Sequence, residues 1–457
     1  MLRSKRFSLL ALITALLAAL ALSGCGGGGA SGGADNGGST GTETGTGTSS
    51  GDGPSSGGDA TVLTFWTFNA IHQEFYEAAA ERWNAANPDR QIKLEATTYP
   101  YQDMHNNLLL AVQSGVGAPD MADIEISKFA NFLKGTPQLE PLNDIVDPVI
   151  DKLIKSRLDI YSKDGTVYGL PTHAGAAVMY YNTELLGQAG VNPDGIKTWA
   201  DFFEAGQKVK AATGKVMTTV ETSDQWTFWP MIVQRGSDFL DQDGNVILDN
   251  DINIEVLQFL RSMVDEGIAV ATPGGNHHAE EYYGFMAQGN AAAVSMPIWY
   301  MGRFLEYMPD LKGKIAIRPL PAWEAGGKRS AGMGGTGTVV TTQAKDKQLA
   351  KDFLAYVKLS EEGNIKIWTE LGFDPPRWDV WDSPEVKAPN KFSDYFGDGI
   401  FDMLLEIRNE IDSPTTSELT PLASDLVKTS VMFRALEEKS ATPEQALKEA
   451  ADELRGR

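Results

Sequence analysis

The feature that most restricts what this chain can fold into is an alternation of β-type runs and helical apolar spacing that begins at Thr61. Thr61-Val62-Leu63-Thr64-Phe65-Trp66 reads as a strand, and residues 71–86 carry apolar side chains at helical spacing before stopping at Asn87-Pro88. Residues 92–99 predict a second strand, 102–114 a second helix, and 121–126 a third strand introduced by Ala118-Pro119-Asp120. Strands joined through helices pair in parallel, because an antiparallel return needs only a tight turn. The expected class is therefore α/β, with ligands met beyond the carboxyl ends of the strands.

The segment before this alternation is of a different kind. Arg3, Lys5 and Arg6 precede an apolar run over residues 7–22 that ends in small residues, the layout of a cleaved secretory signal. A permanent membrane span needs about 20 apolar residues. Leu22-Ser23-Gly24-Cys25 resembles the lipobox of bacterial lipoproteins, which implies a diacylglyceryl group on Cys25 as the new N-terminus. The composition of residues 26–60 is dominated by Gly, Ser, Thr, Ala and Asp, without aromatic or basic residues, and predicts a tether. Its reach as a coil is on the order of 30–35 Å. Without the three basic residues of the signal the formal charge falls from -22 to about -25, which disfavours nucleic acid as a partner and electrostatic adhesion to anionic lipid. The single cysteine excludes an intrachain disulfide.

Beyond the third strand, residues 168–182 (YGLPTHAGAAVMYYN) interrupt the alternation with an extended, Pro- and Gly-marked segment. Helical spacing returns at 199–213, and Asp224-Gln225-Trp226-Thr227-Phe228-Trp229-Pro230 opens another helical region. Residues 332–342 look like a return strand and 345–358 the helix after it, while Thr442-Pro443-Glu444-Gln445 has a capping-box pattern. The expected division is 1–24 signal, 25–60 lipidated cysteine and tether, 61–182 first α/β lobe and 183–331 second lobe. Residues 332–358 then return to the first lobe, and 359–457 form a mostly helical part completing both.

Six of these features occur in one order: Leu63-Thr64-Phe65-Trp66, Ala118-Pro119-Asp120, the 168–182 segment, residues 291–299 (AAAVSMPIW), the Gly-rich return strand with its helix, and Gly372-Phe373-Asp374-Pro375-Pro376-Arg377. In that order the chain resembles family 1 extracellular solute-binding proteins, the lipoprotein receptors of carbohydrate ABC importers, over essentially everything from residue 61 onward. The resemblance implies a two-lobed, periplasmic-binding-protein-like (type II) fold whose lobes, joined by crossing strands, close on a sugar. It implies a carbohydrate ligand and the transmembrane permease subunits of an ABC importer as partners. The expected place of work is the outer face of the cytoplasmic membrane of a Gram-positive cell, held by the lipid on Cys25, and the expected state is a monomer without cofactor.

Sugars present flat C–H faces and a rim of hydroxyls, so their sites combine aromatic platforms with polar side chains. Of the ten tryptophans, the resemblance favours Trp226 and Trp299 as stacking platforms, with Asp224 and Tyr300 beside them. Trp378 and Arg377 are further candidates. Asn69 and His72 follow the first strand, and Glu125 and Lys128 follow the third, where a ligand would be met. The family carries a charged pair at the positions of Ser127 and Lys128, and the serine departs from it. His173 and Gly334 lie on the crossing segments.

Three patterns invite another chemistry. Gly332-Met333-Gly334-Gly335-Thr336-Gly337 matches G-x-G-x-x-G, but a strand-like run follows where a phosphate site needs a helix N-terminus. In Asp241-Gln242-Asp243-Gly244-Asn245 the glycine sits fourth and not sixth, so a turn is expected in place of a calcium loop. His277-His278-Ala279-Glu280-Glu281 shows no third metal ligand at matching spacing, so no metal is expected. The competing functional reading is a lipid-anchored extracellular glycoside hydrolase, whose carboxylate pair at ~5–9.5 Å is invisible in a sequence.

Overall fold

Leu63, Phe65 and Thr67 of strand β1 (Thr61–Thr67) are buried at alternate positions. The computed structural model describes residues 60–457, so Cys25 and the signal and tether read from the sequence lie outside the described residues. Asn69 leads into helix α1 (Ala70–Ala86), accepting the Ile71 N–H at 3.3 Å, and His72, Phe75, Tyr76, Ala79, Ala80 and Trp83 make the helix's buried stripe. Strand β2 (Ile92–Thr98) and helix α2 (Tyr101–Ser114) follow, the helix ending on Gly115 at φ +75°. All five residues of strand β3 (Met121–Glu125) are buried, as expected of an inner strand covered on both faces.

β1 lies between β2 and β3 and is parallel to both. The sheet does not stay parallel. The strand Thr336–Val340 runs antiparallel beside β3, and Leu170–Pro171 runs antiparallel beyond it. β1 to β3 all run toward the second lobe, whereas Thr336–Val340 arrives from it, so its direction must be opposite. Asp120 pins the sheet: its carboxylate accepts the Thr64 N–H at 2.8 Å, the Thr64 hydroxyl at 2.7 Å and the Lys345 N–H at 2.9 Å. The Ala118-Pro119-Asp120 motif is thus structural.

The second sheet has Ala177–Asn182 at its centre, antiparallel to Ala293–Pro297 and Ile315–Pro319. This strand was expected to close the first lobe; its pairing places it in the second sheet, because the chain crosses earlier, at residues 172–176. A further pair, Thr218–Val220 with Ala269–Ala271, is parallel. The fold is a two-lobed α/β architecture with a mostly helical C-terminal part. Ile367, Leu371 and Phe373 from that part join the core around β1 and α1, while Leu404, Val427 and Leu447 join the core of the second sheet. The helix Pro443–Arg455 forms only half of the expected capping box: Thr442 accepts the Gln445 N–H at 3.1 Å, but the Gln445 side chain turns to Glu449.

Three segments run side by side where the lobes join. Met333 N–H donates to the Gly175 carbonyl at 2.7 Å, and Ala174 N–H donates to the Asp374 carbonyl at 2.8 Å. The Asp374 carboxylate takes the N–H groups of Gly175 and Ala176 at 3.0 and 2.7 Å. Arg157, fully buried, donates to the Gly334 carbonyl at 2.6 Å. Two crossings were expected; the third, around Asp374, is an addition. Among the described residues no helix is long and apolar enough to cross a membrane.

Candidate functional site

The carboxyl ends of β1, β2 and β3 open onto a cleft of about 960 Å³. Pockets for small ligands span ~300–1,000 Å³, so this one has room for a ligand of several rings. The first lobe contributes Phe68, Asn69, His72, Tyr101, Glu125 and Ser127, and the crossing segments His173, Gly334, Gly335 and Phe373. From the second lobe come Asp224, Gln225, Trp226, His278, Trp299 and Arg303.

Two tryptophans are set as platforms by different means. Trp226 stacks on Trp229 (5.6 Å, 20°), which stacks in turn on Phe239 (4.7 Å, 19°), so one face of Trp226 is backed by a column running into the core. The Trp229 indole N–H donates to Asp238 at 2.7 Å, and the same carboxylate accepts the N–H groups of Phe239 and Thr415, each at 2.7 Å. Trp299 donates its indole N–H to the Met333 carbonyl at 3.3 Å and stacks with His278 (5.7 Å, 12°). Gly334, at φ +68°, lets the crossing backbone lie against that indole; a Cβ there would be 3.2 Å from it.

Burial pushes the Asp238 carboxyl up to about 7, against an ordinary value of 3.8. The folded protein therefore binds more protons at this group between those values, and its contribution to stability falls as pH rises through that window. Relative to Asp238→Asn, the wild type should lose stability between about pH 4 and pH 7. Urea unfolding of both proteins across that range measures it, and parallel profiles would contradict it.

The polar side chains are equally constrained. His72 Nδ1 bonds Asp123 at 2.8 Å, and Asp123 also accepts the hydroxyls of Thr67 (2.9 Å) and Thr338 (2.7 Å). Burial raises Asp123, but the His72 imidazole with its hydrogen bond, Lys358 and the Thr338 hydroxyl bring it below the usual carboxylate value. One Glu125 oxygen accepts Tyr101 O–H at 2.8 Å, Ser127 N–H at 2.9 Å and the Ser127 hydroxyl; burial still leaves this carboxyl raised. Burial holds His173 well below the ordinary histidine value, so it is neutral, and its Nδ1 has no partner among the described residues.

Of the residues proposed from the sequence, Asn69, His72, Glu125, His173, Asp224, Trp226, Trp299 and Gly334 line one cleft. Four others are placed elsewhere. Lys128 reaches Asp425 at 3.3 Å, and Tyr300 is fully buried with its hydroxyl donating to the His277 carbonyl. Arg377 is spent on Asp379 and the Leu359 carbonyl, and Trp378 packs on Trp381 at 4.9 Å. Sequence reasoning passed over Tyr101, which follows β2 and was discoverable by the strand-end rule, and Arg303, Lys391 and Lys428, for which no local signal exists. The Gly-rich run leads into a strand, Thr336–Val340. Asp241 accepts the N–H groups of Asp243 and Asn245 at 3.0 and 2.8 Å in a turn.

A family model described as bacterial extracellular solute-binding protein matches residues 69–364. The chain is 57% identical over 396 residues to an arabinooligosaccharide-binding protein of Halalkalibacterium halodurans, covering 86% of this chain and 89% of that one. It is 55% identical to an arabinooligosaccharide-binding protein of Bacillus subtilis, covering 86% and 92%. Among solved structures, the maltose-bound MalE3 of T. maritima superposes with a TM-score of 0.71 at 20% identity, covering 87% of this chain and 100% of that one. A B. animalis subsp. lactis ABC-transporter-associated binding protein in complex with β-1,6-galactobiose gives 0.71 at 22%, covering 87% and 96%. At such identities these structures speak to the fold.

Proposed function

We propose, from the premise that the chain belongs to the bacterial extracellular solute-binding protein family, that it captures an oligosaccharide between its lobes and delivers it to the permease of an ABC importer. The observation that carries this reading is the cleft itself, with tryptophans from one lobe opposite hydrogen-bonding side chains from the other. The relatives' names favour arabino-oligosaccharides within that class. Closure around the ligand is the motion this architecture supports, and affinity then depends on contacts made only in the closed state.

In this reading Trp226 and Trp299 stack on sugar rings while Asn69, His72, Glu125, His173 and Asp224 meet hydroxyls. The first lobe extends from residue 61 to the crossing at 172–176, and the second begins with Ala177–Asn182. The protein acts as a monomer held outside the cell by a lipid on Cys25, a proposal that rests on the Leu22-Ser23-Gly24-Cys25 pattern. Two acyl chains suffice for lasting attachment.

Titration calorimetry against arabino-, xylo-, malto- and galacto-oligosaccharides tests the reading, with chromatography of each mixture after long incubation. Stoichiometric binding without cleavage is expected. Binding to none of these sugars would overturn the assignment, and turnover would replace the receptor with a hydrolase.

A further inference from the structure

Glu125 is held in a lopsided way. Its residue is 8% exposed, and one carboxylate oxygen takes all three donors, from Tyr101 and Ser127. The other oxygen, Oε1, is buried in a side chain that lines the cleft and has no partner among the described residues. A buried acceptor without a donor is costly, and a ligand that supplies one removes that cost. The arrangement is rigid from behind. Glu125 N–H donates to His105 Nε2 at 3.0 Å, while His105 Nδ1 bonds the Tyr101 carbonyl at 2.7 Å, so the imidazole ties the end of β3 to the start of α2. Burial keeps His105 neutral by lowering it to about 4, which suits an Nε2 that accepts.

Among the described residues no cation is bonded to Glu125. Lys428, the lysine that acts on it electrostatically, lies 3.1 Å from Asp425, and Lys128 is drawn to the same aspartate at 3.3 Å. Asp224 adds a second carboxylate to the cleft from the other lobe. Of the other cations lining the cleft, Arg303 is paired with Glu306 at 3.5 Å and Lys391 lies over the Phe392 ring. A ligand carboxylate set against Oε1 itself would meet like charge and leave that oxygen without a donor, two penalties that a neutral hydroxyl avoids.

Resting on the oligosaccharide reading of the cleft, we infer that Glu125 determines specificity: it accepts a hydroxyl of a neutral sugar unit and rejects units bearing a carboxylate, the uronic acids. The measurement compares trigalacturonate with whichever neutral trisaccharide among arabinotriose, xylotriose and maltotriose binds most tightly, for the wild type and for Glu125→Gln. The wild type should prefer the neutral ligand by about 10-fold or more.

Glutamine is isosteric and keeps its carbonyl for the three donors while turning an NH2 toward the ligand. It therefore reverses the polarity of the exposed side, and the preference should shrink about 10-fold through a gain in trigalacturonate affinity. Misfolding does not produce such a gain. Equal wild-type affinity for both ligands, or a preference unmoved in Glu125→Gln, would overturn the assignment of Glu125 while leaving the receptor intact. Failure of the wild type to bind any neutral trisaccharide would remove the receptor reading and this inference together.

Discussion

Trp299→Ala should weaken oligosaccharide binding by about 30- to 1,000-fold, the range expected when a central aromatic anchor worth ~2–4 kcal/mol is truncated. The indole lines the cleft, its N–H is held by Met333, and Gly334 packs against it without a side chain of its own. The ring is thus fixed before ligand arrives, so little ordering entropy is lost on stacking. Its loss should not unfold the protein, because Trp299 is only partly buried and is bordered by solvent. Trp378→Ala is the matched control: that ring packs on Trp381 and does not line the cleft. Calorimetry and thermal unfolding of both variants decide the matter. A Trp299→Ala affinity within about threefold of wild type would remove this residue from the site, since that is below 1 kcal/mol.

The strands and helices of the first lobe were legible because their signals are local. Alternation at Leu63, Phe65 and Thr67, the helical stripe from His72 to Trp83, and the Asn69 cap need no distant partner. The direction in which a side chain points is not local. Trp299 and Tyr300 are neighbours, yet the turn Ile298–Tyr300 sends one toward the cleft and the other into the core beneath His277. Arg377 looked available, but Asp379, two residues on, takes its guanidinium at 2.5 Å. Lys428 and Arg303 reach the cleft from helical stretches whose spacing carries no mark of it. The crossing behaves in the same way: Arg157 meets Gly334 across 177 positions, and Asp374 meets Gly175 across 199. Contacts at such separations come from assembly of the lobes, which no window of sequence contains.

Asp374→Ala should cost about 3–5 kcal/mol of folding stability. The carboxylate is wholly buried and is the acceptor for two backbone N–H groups, those of Gly175 and Ala176. Orphaning such donors costs about 1–3 kcal/mol each. The substitution also removes the carboxylate whose charge acts on Arg157, a guanidinium with no exposure and with two nitrogens already without a partner among the described residues. Burial raises Asp374 to about 6, so near neutral pH it is ionised and counterbalances that cation. Asp374→Asn keeps a carbonyl for one N–H and should fall between wild type and Asp374→Ala. Urea unfolding of the three proteins measures the series, and a loss below about 1 kcal/mol for Asp374→Ala would mean that the crossing does not depend on this clamp. Asp374 is not part of the cleft lining, whereas Gly334, held by Arg157, is. Any fall in sugar affinity in Asp374→Asn therefore reports the geometry in which the two lobes meet, separately from the contacts they make with ligand.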